Sequence, residues 1–339
     1  MKSFSVIIVT WNGLHHLKEF LPSVVQTNYA DFEIIIADNA STDGSQEWLK
    51  ETYPDVTIAQ FDNNYGYCGG NNRALPFATK EILVFLNNDV RVTPDWLTHL
   101  ALSFDDENVA AAQPKILSHT EPEKFEYAGA AGGFIDKYGY PFCRGRVFDH
   151  VETDNGQYDD KIEIFWATGA ALAIRKDLFL FSGGFDEDFE FHMEEIDLCW
   201  RMLNEGYVIR YAPESIVYHL GGGSLPMGSP RKVYYNFRNS LIMLWKNYTF
   251  KALIFRFPIR FVLDVVAAYK ALLTGKPKEF FAIARAHLYF FFKFFSIYSK
   301  RRSLKKHKTL RSSPSTMMPI NLVVSHFIKG KKVFGDLSK

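Results

Sequence analysis

Four short apolar runs, each followed by a polar segment, dominate the first ninety residues. A segment with helix-like spacing of apolar residues separates each run from the next. Continuous apolar strands that alternate with helices are typical of a mainly parallel sheet with helices on both faces, so the sequence predicts an α/β fold. The predicted strands are SVIIVT (5–10), EIIIADN (33–39), VTIAQF (56–61) and EILVFLN (81–87), and the predicted helices cover 15–26, 45–51 and 71–79.

Polar residues cluster where these predicted strands end. In open parallel sheets, ligands bind beside the carboxyl ends of the strands. Four polar clusters at such ends therefore indicate a binding site rather than four unrelated turns. The clusters are Thr10-Trp11-Asn12, Asp38-Asn39, Asn63-Asn64 and Asn87-Asn88-Asp89.

The composition is that of a folded protein in a reducing compartment. Hydrophobic residues make up 47% and aromatic residues 16% of the 339 residues, which excludes disorder as the main state. The three cysteines are odd in number and widely spaced, so we expect neither a disulfide framework nor a zinc cluster. The first apolar run is too short for a secretory signal peptide, and none is expected.

Charge divides the chain into two unlike parts. Residues 1–245 contain 19 Lys and Arg against 35 Asp and Glu, whereas residues 246–339 contain 20 against 3. The acidic part suits a domain that handles cations, and the basic part suits an anionic partner. We therefore predict a catalytic domain over 1–245, a basic, Phe-rich helical region over 246–311 and a flexible basic tail over 312–339.

The helical region is predicted to lie on a membrane rather than cross it. Charged residues and a proline interrupt its two long apolar segments, 252–273 and 279–302, so neither offers a spanning helix. Amphipathic helices in the membrane interface fit better, and the basic run 300–311 adds attraction to anionic lipid. Nucleic acid is the alternative partner of these basic residues, but the interleaved phenylalanines favour lipid, and no nucleic acid is expected.

The middle of the chain is less regular. Residues 120–165 are rich in Gly, Tyr, Asp and Phe without clear periodicity, which indicates an irregular insert. Ordered structure resumes over 163–179, and a helix is predicted near 194–204. The segment 209–224 is predicted to form a strand pair that ends in a flexible glycine run.

Two of the strand-end carboxylates suggest chemistry. Asp38 suits hydrogen bonds to a nucleobase or ribose, although Asp is also common in capping turns. Asp89, which follows a buried strand, suits a Mg²⁺ or Mn²⁺ ion that also binds a diphosphate, since hard cations prefer oxygen ligands. The bland alternative for Asn87-Asn88-Asp89 is a turn.

Two further candidates lie downstream. Glu194 and Glu195 begin a predicted helix, where acidic residues stabilise the helix dipole or where one of them acts as a general base. His219 ends a predicted strand and precedes three glycines, so it is a structural histidine or a ligand beside a phosphate-binding loop. The sequence contains no GxSxG, Walker A, HExxH or GxGxxG motif, which disfavours hydrolases of those classes, P-loop phosphoryl transfer and hydride transfer.

Taken together and in this order, these segments resemble the inverting family 2 glycosyltransferases of GT-A fold, especially the rhamnosyltransferase-like branch. The resemblance covers about residues 4–245 and implies a Rossmann-like nucleotide-binding sheet. SVIIVTWNG resembles the opening strand, ADNASTDGS the nucleoside-binding turn and NNYGYCGGNNRA the family's Asn-x-Gly segment. LNNDV resembles the metal-binding Asp-x-Asp element, and HMEEIDLCWR the element with the catalytic base.

The resemblance also implies roles for individual residues. Asp89 would ligate Mg²⁺ or Mn²⁺ with His219 as a second protein ligand, and Glu195 would be the base. Glu195 stands where the family usually has Asp, and Asn87 and Asn88 replace carboxylates of the metal element, so Glu194 remains an alternative base and His219 becomes more necessary. The residues implied to bind the nucleotide sugar are Thr10, Asn12, Asp38, Asn71, Arg73 and Asn88.

By resemblance, the donor is dTDP-rhamnose or another hexose on UDP or GDP, and the acceptor is a glycan or lipid-linked glycan in cell-surface polysaccharide synthesis. The expected location is the cytoplasm, peripheral on the cytoplasmic face of the membrane. Two rivals share some features. A sugar-nucleotide pyrophosphorylase would need a Gly-rich basic loop that TWNGLHHL lacks. A non-catalytic, membrane-associated carbohydrate-binding protein would need neither Glu195 nor a metal.

Overall fold

The structure is a computed structural model that describes residues 1–221, 229–305 and 314–337, without the side chains of 304 and 305. Its strands are β1 (Phe4–Thr10), β2 (Phe32–Asp38), β3 (Thr57–Gln60), β4 (Ile82–Asn87), β5 (Val90–Val92), β6 (Val109–Ser118), β7 (Gly133–Asp136), β8 (Pro141–Cys143), β9 (Arg146–Val147), β10 (His150–Val151), β11 (Glu163–Ile164), β12 (Ala171–Arg175), β13 (Val208–His219) and β14 (Met317–Met318). Its helices are α1 (Leu14–Val25), α2 (Ser45–Thr52), α3 (Gly66–Ala74), α4 (Trp96–Ala101), α5 (Lys176–Phe181), α6 (Glu194–Glu205), α7 (Pro230–Asn247), α8 (Phe250–Phe255), α9 (Phe257–Leu273), α10 (Pro277–Phe292), α11 (Phe294–Lys305), α12 (Leu322–Phe327) and α13 (Phe334–Leu337).

A large sheet with helices on both faces forms the centre of the molecule and confirms the predicted α/β fold. Its strand order is β11-β13-β6-β12-β4-β1-β2-β3, and β5 pairs with β13. The four strands predicted from the apolar runs, β1 to β4, are parallel to one another. Strand β12 runs antiparallel between β4 and β6, so the second half of the sheet is mixed.

The continuous apolar runs are buried because alternate residues of each strand contact different cores. In β1, Ile7 packs into one buried cluster, whereas Val6 and Ile8 pack into the other. Helices α1, α2 and α4 cover the second cluster, and α3, α5, α6 and α7 cover the first. Burial on both faces is what distinguishes these strands from the alternating pattern of a half-exposed sheet.

Two predicted elements differ from the structure. Helix α3 begins at Gly66, five residues before the predicted start, because the glycine-rich segment itself forms the first turns of the helix. The predicted strand pair over 209–224 is one strand, β13, in which a register shift between Ala212 and Ile216 marks a bulge. Of the glycine run predicted to follow it, 222–224 lie outside the described residues.

The insert predicted to be irregular over 120–165 is instead largely ordered. Four of its short strands, β7 to β10, form a second sheet with β14, in the order β10-β9-β8-β7-β14. Short strands joined by glycine turns, such as Gly145 with φ +102°, give no apolar periodicity that a sequence pattern could reveal. The side chains of Phe125, Phe142 and Val147 are buried, so this sheet extends the core.

Basic, Phe-rich helices follow the large sheet, as predicted. Helix α7 crosses the predicted boundary at residue 245 and packs against α10 and α11. Many large apolar side chains of α8 to α11 remain exposed, among them Leu273, Phe292 and Phe295, which are 83–86% exposed. Among the described residues, no single helix is long and apolar enough to cross a membrane. The consecutive segments Pro277–Phe292 and Phe294–Ser303 reach that length and hydropathy only together, and they are bent by 64°.

Residues 314–337 differ from the predicted flexible tail. Strand β14 pairs with β7, and the backbone N–H of Leu322 donates to Oδ2 of the buried Asp136 at 2.9 Å. Met317, Leu322 and Leu337 are all buried. A few apolar residues scattered among basic ones are typical of a flexible tail, so the sequence did not predict this structure. In the folded chain, however, these three apolar residues pack at the edge of the second sheet.

Candidate active site

Asp89 and His219 meet at the end of strand β4. Strand β5 starts directly after Asp89 and pairs with the last residues of β13, so that Val90 lies opposite His219. This pairing places Oδ1 of Asp89 3.2 Å from Nε2 of His219, and both side chains are buried. The sheet register therefore brings together two residues that are 130 positions apart, as the metal-site prediction requires.

Glu126, whose backbone N–H donates to the carbonyl of Ile116 on β6, joins this pair. Its Oε2 lies 3.4 Å from Nδ1 of His219, so the imidazole lies between two carboxylates. Burial alone would lower the pKa of His219, but the charges of Glu126 and Asp89 outweigh burial and raise it to about 10. In the same way, burial would raise the pKa of Asp89, but His219 holds it below its usual value.

These residues fit a divalent cation as a two-donor site in which the cation displaces the proton of His219, because only the neutral imidazole has a lone pair for a metal. Among the described residues, no group of three or more His, Cys, Asp or Glu side chains is arranged to hold a metal ion. Two donors at 3.2 Å are nevertheless spaced like neighbouring ligands in an octahedral shell, where bonds of about 2.1 Å put them about 3.0 Å apart. Mg²⁺ and Mn²⁺ commonly complete such shells with water and substrate phosphate.

Four residues predicted to bind the nucleotide lie together at the ends of β1, β2 and β4. Thr10 and Asp38 are opposite each other in the sheet, and Nδ2 of Asn88 donates to Oγ1 of Thr10 at 3.2 Å. Oδ1 of Asn12 accepts from the backbone of Thr42 at 2.8 Å. A Cβ atom added to Gly13 would lie 2.5 Å from both Thr10 Oγ1 and Asn88 Nδ2, so only glycine allows this close packing.

Both carboxylate oxygens of Asp38 accept hydrogen bonds from residues that follow it in the chain. It is fully buried, its Oδ1 accepts from the backbone N–H of Ser41 at 3.2 Å, and its Oδ2 accepts from the side chain of Gln46. These contacts match the capping-turn alternative from the sequence. A role toward a nucleoside stays a prediction, and it requires one of these hydrogen bonds to be shared or exchanged.

Asn71 and Arg73 lie on α3. Asn71 is buried, and its Nδ2 donates to the carbonyl of Tyr67 at 3.0 Å. The guanidinium of Arg73 lies over the ring of Tyr65 and 2.9 Å from the carboxylate of Glu187. Arg73 therefore faces the acidic loop before α6, rather than the group around Thr10, and its predicted nucleotide contact stays a prediction.

Glu194 and Glu195 start α6 immediately after two left-handed residues, His192 with φ +65° and Met193 with φ +74°. One carboxylate oxygen of each glutamate is buried without a hydrogen-bond partner among the described residues. Burial raises the pKa of Glu195 to about 7, and burial together with the charge of Glu195 raises that of Glu194 well above its usual value. Perturbed carboxyl groups of this kind are common at catalytic positions.

Tyr67 connects this pair of glutamates to the end of β4. Its hydroxyl donates to the carbonyl of Gly169 at 2.7 Å, and the charges of Glu194 and Glu195 contribute to the raised pKa of this phenol. The next carbonyl, that of Ala170, accepts from the backbone N–H of Asn87 at 3.0 Å. Tyr67 is therefore bonded to the segment that precedes β12 and pairs with the end of β4, and the two glutamates act on its hydroxyl electrostatically.

Helix α7 holds the backbone in front of these glutamates. Nδ2 of Asn239 donates to the carbonyls of Phe191 and His192 at 2.6 and 2.8 Å. Below them, the buried carboxylate of Asp197 binds Lys246 at 2.8 Å and Arg201 at 3.0 Å. These contacts fix the two left-handed residues and the start of α6.

The sequence did not reveal several residues of this region. Glu126 lies in the segment predicted to be irregular, and nothing in its local sequence marks it. His16 on α1 is close enough to Asp89 to affect the pKa of that carboxyl, and only its position after the first strand's polar cluster could have suggested this. Tyr67 is part of the NNYGYCGGNNRA segment, but its hydrogen bond to Gly169 depends on the tertiary fold.

A model of the family described as glycosyl transferase family 2 matches residues 5–179, which is just over half of the chain. The chain belongs to this family. The match includes β1 to β4, Asp38 and Asp89, but it ends before Glu194. The suspected family and its GT-A fold are thereby confirmed, whereas the roles of the individual residues stay predictions.

Two curated relatives illustrate the range of similar proteins. The O-antigen biosynthesis protein RfbC of Myxococcus xanthus is 30% identical over 207 residues, which are 58% of this chain and 16% of that protein. The N-acetylglucosaminyl-diphospho-decaprenol L-rhamnosyltransferase of Mycobacterium tuberculosis is 25% identical over 231 residues, 63% of this chain and 75% of that protein. For three of the matched relatives, the aligned region spans 16–40% of the relative's own length.

Solved structures support the fold. The crystal structure of GalNAc-T7 with UDP, GalNAc and Mn²⁺ superposes with a TM-score of 0.58 at 17% identity and covers 74% of this chain and 49% of that one. At this identity, the likeness concerns the fold alone. It confirms the predicted GT-A arrangement of the central sheet.

Proposed function

We propose that this chain transfers a sugar from a nucleotide-sugar donor to a hydroxyl group of a glycan, with inversion at the anomeric carbon. The observation that carries the proposal is the pair of glutamates at the start of α6, each with a buried and unpaired carboxylate oxygen, together with the Asp89–His219 pair beyond the end of β4. A buried carboxylate with a raised pKa is a suitable base, and the strand end is where this fold binds its ligands.

Asp89 and His219 would hold Mg²⁺ or Mn²⁺, and the ion would neutralise the charge that develops on the leaving nucleoside diphosphate. The GalNAc-T7 structure, which was solved with Mn²⁺, supports this choice of ion. Asn88 and Thr10, which already contact each other, would orient the donor, and Glu126 would hold the imidazole of His219 from its other side.

Glu195 accepts the proton of the acceptor hydroxyl while that oxygen forms a bond to the anomeric carbon. The bond between this carbon and the diphosphate oxygen breaks, and the electron pair leaves with the nucleoside diphosphate. A single displacement of this kind inverts the centre. Glu194, which is more deeply buried than Glu195, is the alternative base, and its pKa depends on the charge of its neighbour.

The proposed donor is dTDP-rhamnose, with other UDP- or GDP-linked hexoses as alternatives, and the relative from Mycobacterium tuberculosis that is named a rhamnosyltransferase supports this order. The name of that relative also supports a lipid-linked glycan as the acceptor. An exposed apolar face on α8 to α11 supports peripheral binding to the cytoplasmic face of a membrane. Of the basic run proposed to attract anionic lipid, 306–311 lie outside the described residues.

The test uses the full chain, nucleotide sugars with Mn²⁺ or Mg²⁺, and release of the nucleoside diphosphate as the signal. We expect transfer with one donor class and its loss in Asp89→Ala and Glu195→Gln. Near-normal transfer by either variant would refute the corresponding assignment. Failure of the wild type to release nucleoside diphosphate from any donor would instead favour a non-catalytic carbohydrate-binding protein, and pyrophosphate-dependent formation of nucleoside triphosphate would favour a pyrophosphorylase.

A further inference from the structure

A cavity of about 510 Å³ opens between α7 and α10, next to the loop that precedes the two glutamates. It lies outside the group formed by Asp89, His219 and the polar ends of β1 and β2. Two guanidinium groups and three phenol rings line its polar part, and two apolar side chains line its outer part. The lining residues are Glu190, Tyr234, Tyr235, Arg238, Arg285, Leu288, Tyr289 and Phe292.

The two arginines in this cavity differ in their partners. Arg238 is buried, and its three nitrogens bind Oδ1 of Asn239, the carboxylate of Glu190 and the carbonyl of Asp188. Arg285 is exposed and lies over the ring of Tyr234 at 4.7 Å. Among the described residues, no carboxylate lies within 4.0 Å of Arg285. One cation of the cavity is thus structural, and the other is free to bind a ligand.

The cavity carries a net positive charge. Glu190 is its only carboxylate among the described residues, and this group is already engaged by Arg238 at 3.3 Å and by the hydroxyl of Tyr235. A guanidinium beside aromatic rings suits a phosphate, because the fork of N–H groups matches the phosphate oxygens and the rings exclude water. The site therefore favours an anion with an attached apolar or planar group.

Exposed apolar side chains of α10 form part of the lining. Leu288 is 55% and Phe292 is 83% exposed. Glu190, an exposed residue of the loop before α6, also lines the cavity and stands five residues before Glu195. The lining therefore combines apolar groups, the free guanidinium of Arg285 and a residue of the loop that leads to the proposed base.

We propose that this cavity binds the phosphate or diphosphate group of a long-chain lipid-linked acceptor, with Arg285 as the cation that contacts it. The lipid chain would lie along the face that includes Phe292, and the sugar would reach inward toward Glu195. The lipid, the phosphate and the sugar would thus meet the apolar groups, the guanidinium and the loop before α6, respectively. This inference rests on the proposed function, because it assigns the acceptor of the same reaction.

The first experiment measures binding without catalysis. The full chain is mixed with phosphatidylcholine vesicles that contain a small fraction of a long-chain prenyl phosphate, or the same fraction of phosphatidylglycerol, and bound protein is measured by flotation. Arg285→Gln should weaken binding to the prenyl phosphate vesicles about tenfold, the usual size of a lost charge-assisted hydrogen bond. Its effect on phosphatidylglycerol vesicles should be small.

Lys278→Gln is the matched control. Lys278 is exposed on the same helix, outside the cavity, and its substitution removes the same charge. The proposal would be overturned if both variants lost the same amount of vesicle binding, or if Arg285→Gln lost as much binding to phosphatidylglycerol vesicles as to prenyl phosphate vesicles. Either result would indicate general attraction to anionic lipid. Release of the wild type by inorganic phosphate at the concentration of the lipid phosphate would show a site for free phosphate and would also overturn it.

The second experiment separates this proposal from the proposed function. With a lipid-linked acceptor, Arg285→Gln should raise the KM for the acceptor about tenfold more than the KM for the donor, while Lys278→Gln changes neither. If Arg285→Gln leaves the KM for the acceptor unchanged, the proposed acceptor site in the cavity is refuted, but the proposed glycosyltransferase activity is not. If the wild type transfers no sugar, the proposed function is refuted. The vesicle experiment alone then tests whether the cavity binds a lipid-linked phosphate.

Discussion

At the scale of single residues, Glu195 combines a stability cost with a chemical use. Its carboxyl group ionises near pH 4.5 in an unfolded chain, whereas burial raises the pKa to about 7 in the folded one. Between these values the unfolded chain binds fewer protons than the folded chain, so stability falls as the pH rises through this window. The ionised base is therefore unfavourable for folding under the conditions in which it works.

Glu195→Gln should accordingly stabilise the protein above pH 7. We expect a gain of about 2 kcal/mol in the free energy of unfolding at pH 8, and almost none below pH 4.5, where the glutamate is protonated in both states. Urea denaturation at the two pH values measures this difference. The control is Glu47→Gln, an exposed glutamate in the first turn of α2, which should give no stabilisation at either pH. A stabilisation that does not depend on pH would contradict the assignment.

The same pKa sets the pH dependence of transfer. Because the base must be ionised, kcat/KM should rise about tenfold per pH unit below pH 7 and reach a plateau above it. Initial rates with a saturating metal ion between pH 5.5 and 8.5, the interval over which a group with this pKa titrates, would show this curve. A flat profile would argue against Glu195 as the base.

Glu126 should matter for the metal through His219. A carboxylate beside the second ring nitrogen orients a metal-binding imidazole, and its loss typically weakens metal binding 10- to 100-fold. We expect Glu126→Gln to weaken Mn²⁺ binding about tenfold in calorimetric titration. Glu121→Gln, on the same segment and far more exposed, is the control. Equal affinities in Glu126→Gln and the wild type would show that His219 does not bind the ion.

Residue-level prediction from the sequence was possible where the local pattern and the sheet position agree. Asp89 was predicted because it follows an apolar strand and His219 because it ends one. The pairing of β5 with β13 brings the two residues together, and their roles stay predictions. Glu126 could not be found, because its position beside His219 depends on a backbone hydrogen bond to the carbonyl of Ile116 on β6, which leaves no periodic signal in the sequence. For Arg73, the motif implies a contact with the nucleotide, but the sequence does not reveal that its side chain forms an ion pair with Glu187.

At the scale of elements, α7 determines the shape of the loop before the glutamates. Asn239 binds the consecutive carbonyls of Phe191 and His192. His192 and Met193 adopt left-handed conformations, which cost free energy for non-glycine residues. The sequence did not predict α7, because buried polar residues lie among the apolar residues on its buried face and interrupt the helical pattern. The parallel strands, by contrast, were readable because burial on both faces makes them continuously apolar.

Asn239→Ala should release this loop. Two lost hydrogen bonds at buried carbonyls predict a destabilisation of about 2 kcal/mol and a lower kcat, since the start of α6 is no longer fixed. Hydrogen exchange over residues 187–195 should become faster in this variant. Asn236→Ala, a half-exposed asparagine on the same helix, is the matched control and should leave this exchange unchanged. Unchanged exchange in Asn239→Ala would mean that the loop is held by other contacts.

At the scale of the whole molecule, an acidic sheet domain carries a layer of basic, Phe-rich helices. The charge asymmetry and the interrupted apolar segments predict a domain boundary near residue 245, and that boundary stays a prediction. The return of residues 314–337 to the second sheet was not predictable, because it depends on three scattered apolar side chains and on Asp136. Long-range contacts of this kind have no local sequence pattern.

The apolar layer should be required for membrane binding. Phe292→Ser combined with Phe295→Ser should reduce flotation with anionic vesicles at least tenfold, because each ring buries apolar area in the interface. Phe181→Ser, at a 59% exposed position on α5 outside the layer, should have no effect. Binding that survives the double substitution would assign membrane attachment, if any, to another surface.

The pairing of β14 with β7 closes the helical layer at its far end, while α7 secures the near end. If α8 to α11 lie on a membrane as proposed, attachment at two points would keep the sheet domain at a fixed distance from the bilayer. Glu195 would then accept a proton only from acceptor hydroxyl groups at that distance, so the length of the acceptor glycan would affect the rate of transfer.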